Sequence, residues 1–355
     1  MRILYVKMPG YEWVSVPSDA VVRELVKLGV EVDTTTNMSS ILPKKYDAVW
    51  SPYEHVAILG RNIAKRIGAP HIAHIEWLPP WRISKKCDYT LFGFDGKSPE
   101  IKGITSQVID HYLEIGRVWG NADIRTIAGR GFIDYVCNAT DTDKEGVVVR
   151  YPSIDTQAIE TCKRMYNVQK IHNRVITIAR AVPNKRYDLL VKVMNKINCE
   201  VEWAIIGDGP ELSMVKEELK NPKVKLNILG SIWGYAKYAE IMKSKTFLGA
   251  WSGMPPFECS GLGCYPIIIQ PVLPDFITEP TLVENTMPNC ANLVFENDDN
   301  WSNEVATRIH LNIEDQDSYM LYSGLLYKDM LDNKCGITSS AQNALNLKKM
   351  VSEVI

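Results

Sequence analysis

The chain is predicted to be an α/β protein made of two doubly wound domains, and three observations support this. Its 355 residues exceed the ~100–200 of one ordinary domain. Short β-type apolar runs alternate with stretches of helical periodicity, a pattern typical of parallel sheets covered by helices on both faces. A polar segment over 152–172 interrupts the alternation. We expect it to link a domain over 1–160 to a domain over 170–338.

The elements of the first half follow from local sequence. Val21, Val22, Leu25 and Val26 recur at helical spacing, and Gly29 ends that helix. Short apolar runs bounded by proline or glycine indicate strands. Strands are predicted at 2–8, 30–32, 47–50, 70–75, 132–138 and 146–152, and helices at 19–28, 58–67 and 104–118.

The second half repeats the alternation. Its apolar runs are short enough for buried strands, and Gly-Asp-Gly-Pro over 207–210 marks a tight turn. Strands are predicted at 174–179, 201–206, 224–229, 246–249, 267–269 and 292–295. Helices are predicted at 187–197, 211–219, 235–242, from about Glu258, and at 341–354.

The composition is that of an ordinary globular protein, with 46% hydrophobic and 23% charged residues. The net charge of −2 gives no global attraction for nucleic acid, so no such partner is expected. No apolar run approaches the ~18 residues that span a bilayer, and the N-terminus lacks the features of a signal peptide. The eight cysteines contain no Cys-x-x-Cys pair, which predicts reduced cysteines, no zinc site and a cytoplasmic location.

The segment Gly-Ala-Trp-Ser-Gly-Met-Pro-Pro-Phe-Glu over 249–258 is the most informative motif. It predicts the end of a strand, a turn and the start of a helix, where backbone N–H groups can bind an anion. The Glu258 carboxylate can accept two hydrogen bonds, which suits a ribose diol. A simple acid complementing the helix dipole is the competing interpretation. The chain has no P-loop motif, and no Gly-x-Gly-x-x-Gly follows its first strand.

Three segments of the second half share an order and spacing: Ile-Ala-Arg-Ala-Val-Pro-Asn-Lys-Arg over 178–186, Gly-Asp-Gly-Pro-Glu over 207–211, and the segment that ends at Glu258. Together they resemble the retaining glycosyltransferases of family 4, the group 1 glycosyltransferases. The resemblance covers about residues 174–300. It implies the GT-B fold, with two Rossmann-like domains facing a central cleft and a C-terminal helix over about 340–355 that packs back on the first domain.

The resemblance also implies roles for residues of the second half. Arg180 and Lys185 would stabilise the charge that builds on a departing nucleoside diphosphate, with no metal ion or other cofactor. Glu258 would hold the ribose hydroxyls, and Ile232 would lie against the nucleobase. The remaining donor-binding candidates lie near the phosphates or the sugar, and are Gly253, Met254 and Pro255. Gly207 and Gly209 are interpreted as turn-forming residues.

In the first half, the resemblance implies that His74, at a strand end, lies beside the donor sugar, with His71 as the second choice. Gly10 would let the backbone approach the donor phosphates. Structural roles for His74 and Gly10 remain the alternatives. An aromatic and basic loop follows His74, and it is a candidate for acceptor binding or for peripheral contact with a membrane. Its residues are Trp77, Pro79, Pro80, Trp81, Arg82, Lys85 and Lys86.

One position departs from the family pattern. The family motif carries two glutamates, and the first of them falls on Ala250, which cannot hydrogen-bond to a sugar hydroxyl. The identity of the donor sugar is therefore open. Asp141-Thr142-Asp143 has the spelling of a metal motif but lies in a polar turn, so no metal site is predicted.

The sequence thus predicts a retaining glycosyltransferase. It would move a hexose from a UDP- or GDP-linked sugar to a glycan, lipid or protein acceptor. One alternative is a non-catalytic protein that binds sugar nucleotides or glycans. The other is a nucleotide-sugar epimerase or hydrolase.

Overall fold

The structure is a computed structural model that describes residues 1–7, 12–76, 106–129, 133–150, 153–250, 254–270, 292–295, 300–315, 328 and 338–355. These residues form two six-stranded sheets and one two-stranded sheet. Every strand pair is parallel. In a parallel sheet all carboxyl ends lie at one edge, which is where ligands bind in this class of fold.

The N-terminal half contains the first six-stranded sheet, in the order β2-β1-β3-β4-β5-β6. Its strands are β1 (Arg2–Val6), β2 (Glu31–Thr35), β3 (Ala48–Ser51), β4 (His71–Ile75), β5 (Ile124–Ile127) and β6 (Val147–Val149). Its helices are α1 (Glu12–Lys27), α2 (Ala57–Ile67), α3 (Ser106–Gly120) and α4 (Ile133–Thr140). Strands β3 and β4 are buried at every residue, as expected for a sheet covered on both faces.

A short connection, β7 (Ser153–Ile154) and α5 (Thr156–Met165), leads to the second sheet, in the order β10-β9-β8-β11-β12-β13. Its strands are β8 (Arg174–Ile178), β9 (Val201–Ile206), β10 (Val224–Gly230), β11 (Thr246–Ala250), β12 (Tyr265–Gln270) and β13 (Asn292–Phe295). Its helices are α6 (Tyr187–Met194), α7 (Glu211–Glu218), α8 (Gly234–Lys243), α9 (Pro255–Gly261) and α10 (Trp301–Glu314).

The chain then returns to the N-terminal half. Strand β14 (Thr338–Ser339) pairs with β7, and α11 (Ser340–Val354) packs against α1. Ala344, Leu347 and Val351 of this helix share a buried apolar cluster with Ile3 and Leu25. The last helix therefore covers one face of the first sheet, while the domain limits 1–160 and 170–338 stay a prediction.

One predicted element is wrong. The segment 132–138 was expected to be a strand, but its described residues belong to helix α4. Ile133, Val136 and Cys137 pack into one core cluster, and their spacing of three and four residues is helical. On the side away from β3, β4 pairs with β5, a strand that was not among the predicted elements.

Candidate functional site

The loop after β8 carries Arg180 and Lys185, and it is held by backbone hydrogen bonds to the loop after β9. The Ala181 N–H donates to the Asp208 carbonyl at 2.8 Å, and the Glu211 N–H donates to the Ala181 carbonyl at 3.0 Å. Lys185 ends a 3-10 turn over Pro183–Lys185. Both candidate cations thus lie on a fixed loop at the carboxyl edge of the second sheet.

Two glycines make this contact between the loops sterically feasible. Gly207 has a φ of +152°, and a Cβ there would lie 1.8 Å from the Ala179 carbonyl oxygen. Gly209 has a φ of +144°, and its Cβ would lie 2.3 Å from the Ala181 carbonyl oxygen. Only glycine fits such a close approach of two backbones. The geometry agrees with their interpretation as turn-forming residues.

A cavity of about 130 Å³ joins two motifs that are far apart in sequence. Lys185 lines it from the loop after β8, and Ala250 lines it from the end of β11. Pro255 and Pro256 line it from the start of α9. The position that departs from the family pattern, Ala250, therefore lies at the same cavity as one predicted cation.

The N-terminus of α9 offers few backbone donors. Pro255 and Pro256 occupy its first positions and have no N–H. The N–H groups of Phe257 and Glu258 both donate to the Met254 carbonyl, at 3.1 and 3.2 Å. Pro255 can therefore pack against a ligand but cannot donate to it. Among the described residues, an anion at this end would need side-chain cations or the N–H of Met254.

The Glu258 carboxylate is buried and already paired. Lys237 of α8 donates from Nζ to Oε1 at 2.8 Å and to Oε2 at 2.7 Å. The Tyr238 hydroxyl also donates to Oε1, at 3.3 Å. Burial raises the pKa of the Tyr238 hydroxyl above its ordinary value. The hydroxyl therefore stays protonated and donates. Neither partner could be predicted, because no spacing in the sequence links α8 to α9.

The loop between β10 and α8 carries Ile232. Ile232 is partly buried and packs against the apolar cluster that includes Tyr238 and Phe257. Its neighbour Trp233 is 62% exposed. This loop thus carries an exposed indole next to the apolar cluster that includes Phe257 of α9, the helix of Glu258. Like Lys237 and Tyr238, Trp233 lies in no motif of the sequence.

His74 lies at the carboxyl end of β4, in the first sheet, and is 1% exposed. Its Nδ1 is 2.9 Å from the Thr126 hydroxyl, which itself donates to the Ala73 carbonyl at 3.2 Å. Because that hydroxyl proton is used, Nδ1 carries the imidazole proton and Nε2 is left as an acceptor. Burial, and then the charge of Arg150, hold the pKa of His74 well below its ordinary value, so the ring is neutral.

His71, the second choice, lies at the amino end of β4. Its Nε2 is 2.9 Å from the Ser51 hydroxyl, and its backbone N–H donates to Asp123. Burial lowers its pKa to about 4. His71 is thus buried, bonded to internal partners and located at the edge opposite the carboxyl ends of the strands. These features fit a structural role.

Arg150 and Glu76 add a charged cluster near His74. Arg150 follows β6, is buried, and lies over the Trp50 ring at 5.1 Å. Its Nε has no hydrogen-bond partner among the described residues. Desolvation, and then the nearby charge of Glu54, raise the pKa of Glu76 to about 7. The strand ends of the first sheet therefore hold a buried cation and a carboxylate that titrates near neutral pH.

Several predicted residues lie outside the described part of the chain. These are Gly10, Gly253 and the aromatic and basic loop from Trp77 to Lys86. Asp141-Thr142-Asp143 forms a turn after α4, in which Asp143 accepts from the Glu145 N–H at 3.0 Å. Within the described ranges, no group of three His, Cys, Asp or Glu side chains could hold a metal ion. No helix among them is long and apolar enough to cross a membrane.

Comparisons with known proteins identify the fold. No protein-family model matches the chain, and no curated protein matches its sequence. Among solved structures, Anabaena HepE in complex with UDP and glucose is 13% identical, with a TM-score of 0.62 over 99% of this chain and 100% of that chain. An alpha-glucosyltransferase in complex with UDP is 12% identical, with a TM-score of 0.62 over 99% and 100%. Staphylococcus aureus TarM, as a G117R mutant, is 12% identical, with a TM-score of 0.58 over 86% and 55%.

These likenesses establish the GT-B fold of glycosyltransferases, with two α/β domains built on parallel sheets. The predicted fold class is confirmed. Membership of family 4 stays a prediction.

Proposed function

We propose that the protein is a retaining glycosyltransferase that moves a hexose from a UDP- or GDP-linked sugar to a glycan, lipid or protein acceptor. One observation carries the proposal most directly. Lys185, on the loop that also carries Arg180, lines one cavity together with the start of α9, the helix that carries Glu258. The fold is one whose solved examples, HepE and alpha-glucosyltransferase, were obtained with UDP.

The two cations supply the main electrostatic contribution. When the bond between the sugar C1 and the diphosphate oxygen breaks, negative charge builds on the diphosphate. Lys185 is half-buried and lines the cavity beside the α9 start, and Arg180 is an exposed residue of the same loop. Fixed cations aimed at developing charge lower the barrier without reorganisation. No metal ion or other cofactor is needed in this scheme.

Glu258 and Ile232 would hold the nucleoside. The carboxylate accepts from ribose hydroxyls, and the partly buried Ile232 packs against the base. Met254 and Pro255 would pack near the phosphates or the sugar. Gly253 and Gly10 keep the roles that the family resemblance implies.

His74 would act on the sugar from the other half of the molecule. As a neutral ring whose Nε2 is an acceptor, it would accept a hydrogen bond from a sugar hydroxyl rather than donate a proton. This is a positioning role, and it holds at neutral pH because the pKa of His74 lies well below its ordinary value.

Retention follows from attack on the face that the diphosphate leaves. The acceptor oxygen forms a bond to C1 as the bond from C1 to the diphosphate oxygen breaks, and a departing phosphate oxygen takes the acceptor proton. The scheme needs no protein nucleophile. The Ala250 side chain cannot hydrogen-bond to a sugar hydroxyl at the cavity that it lines, which leaves the choice of hexose to other residues.

The test begins with binding. Calorimetry with UDP and GDP should show binding of at least one of them in the presence of EDTA. Incubation with a panel of UDP- and GDP-hexoses should then release the diphosphate, and NMR of the product should show the anomeric configuration of the donor. Absence of binding to every nucleoside diphosphate would refute the proposal, and an inverted product would refute retention.

A non-catalytic sugar-nucleotide-binding protein is the second candidate, and Ala250 is the observation that favours it. It predicts nucleotide binding with no release of diphosphate from any donor, with or without glycan, lipid and protein acceptors. An Ala250→Glu variant separates the two functions further. Sugar transfer by Ala250→Glu but not by the wild type would indicate that the wild-type site has lost its catalytic activity.

A further inference from the structure

Glu258, the carboxylate proposed to hold the ribose, forms a largely buried ion pair with Lys237. Lys237 contacts both Glu258 oxygens at 2.7–2.8 Å. The two side chains are 16% and 11% exposed. The Lys237 ammonium also lies 5.1 Å from the Tyr238 ring centre. An ion pair this sequestered from water keeps a defined geometry far better than an exposed one.

Hydrogen-bond capacity limits what this pair can still bind. A carboxylate has about four lone-pair directions and an ammonium has three N–H donors. Lys237 uses one direction on each oxygen, and Tyr238 takes a longer bond to Oε1. Oε2 keeps one clear direction. Within the described ranges, Lys237 donates to Glu258 alone, so one N–H of its ammonium is available.

The pair therefore presents one acceptor and one donor side by side. Adjacent hydroxyls of a ribose match this arrangement, because one hydroxyl can donate while its neighbour accepts. A carboxylate alone would only accept. The pair is also neutral overall, so a nearby diphosphate is not repelled by a buried negative charge.

We propose that Lys237 is a specificity-determining residue that, together with Glu258, recognises the ribose cis-diol of the donor nucleotide at two points. Glu258 accepts from one hydroxyl, and Lys237 donates to the oxygen of the other. This inference rests on the proposed function, because it assumes that a nucleoside diphosphate binds here. It adds a second ribose-binding side chain, on α8, to the one on α9.

The experiment measures ribose selectivity by calorimetry. UDP and 2′-deoxy-UDP are titrated into the wild-type chain, Lys237→Met and Lys237→Arg, with GDP and 2′-deoxy-GDP as the pair if guanosine is preferred. In the wild type the ribonucleotide should bind about tenfold or more tightly than the deoxy form, because a missing hydroxyl leaves buried polar groups unpaired. In Lys237→Met this ratio should fall to about 1–3, with most of the loss on the ribonucleotide. Lys237→Arg should restore part of the ratio.

Controls separate recognition from folding. Lys243→Met removes another paired lysine from the same helix, one that contacts Glu240 rather than Glu258, and should leave the ratio unchanged. Thermal melts check that each variant folds, and Lys237→Gln replaces Lys237→Met if the latter does not. A ratio in Lys237→Met equal to that of the wild type, whether or not both nucleotides bind more weakly, would overturn the inference while the proposed function stands. A wild-type chain that binds neither UDP nor GDP would overturn both.

Discussion

Replacing Gly207 by alanine tests whether the contact between the loops after β8 and β9 builds the donor site. Gly207 has a φ of +152°, and an added Cβ would lie 1.8 Å from the Ala179 carbonyl oxygen. That atom belongs to the backbone of the loop that carries Arg180 and Lys185. Since no side-chain rotation can relieve the clash, the loop itself must move.

The magnitude follows from three costs. A non-glycine residue at this φ costs ~1–3 kcal/mol. Movement of the loop weakens two hydrogen bonds, from the Ala179 N–H to the Ile206 carbonyl at 3.1 Å and from the Ala181 N–H to the Asp208 carbonyl at 2.8 Å. Each bond is worth ~1 kcal/mol. We expect Gly207→Ala to lower the free energy of unfolding by ~3–5 kcal/mol, and to weaken binding of UDP or GDP under conditions where the variant remains folded.

Urea denaturation followed by circular dichroism measures the first quantity, and calorimetry measures the second. Gly29→Ala is the matched control, because Gly29 has a φ of +76° and no atom within 4 Å of an added Cβ. It should cost only the backbone strain, ~1 kcal/mol, and leave nucleotide binding unchanged. If Gly207→Ala costs no more than Gly29→Ala and binds nucleotide normally, the loop contact does not position the cations.

Three further predictions address the cations, the Glu76 carboxyl group and the aromatic loop. Arg180→Ala and Lys185→Ala should each cost ~2–4 kcal/mol of transition-state stabilisation, measured as kcat/KM for diphosphate release, while alanine at the exposed Lys192 of α6 should change little. The free energy of unfolding of the wild type should fall between about pH 4.5 and 7, and Glu76→Gln should reduce this fall. The pKa of Glu76 rises from 4.5 to about 7 in the folded state, so the folded chain holds the proton more tightly, and stability is lost as pH rises through this range, by up to ~3 kcal/mol. If the loop from Trp77 to Lys86 contacts membranes, the protein should pellet with anionic liposomes, and added salt should reduce the pelleted fraction.

Each of these predictions has an outcome that contradicts it. A loss below tenfold in both alanine variants would remove Arg180 and Lys185 from the diphosphate site. Parallel stability curves for the wild type and Glu76→Gln, from urea denaturation at pH 5, 6, 7 and 8, would show that Glu76 does not titrate near neutral pH. Absence of the chain from the liposome pellet at low salt would exclude the membrane role of the loop.

Most of the fold could be predicted from the sequence, because a buried parallel sheet imposes a local pattern. Apolar runs such as those of β9 and β12 are short, rich in β-branched residues and bounded by turns, so they indicate strands without any tertiary information. The error at 132–138 arose where this pattern is ambiguous. Ile133, Val136 and Cys137 fit either a short strand or one face of a helix, and packing against the first sheet decided for the helix.

The candidate site divides along a similar line. Arg180, Lys185 and Glu258 could be singled out because each lies in a local motif of turn and strand-end residues. Lys237 and Arg150 carry no such signal. Lys237 matters because α8 places it against Glu258, 21 residues away, and Arg150 because its long side chain reaches the Trp50 ring from the end of β6.

By itself, the sequence determined the alternation of strands and helices, the turn glycines and the order of the motifs, because these depend on backbone preferences and periodic burial within a few residues. Tertiary structure alone decided which charges face each other. It placed Lys185 and Ala250 at one cavity, paired Glu258 with Lys237 and buried His74 as a neutral ring. These relations depend on distance and desolvation between segments that are remote in the chain, and no local pattern encodes them.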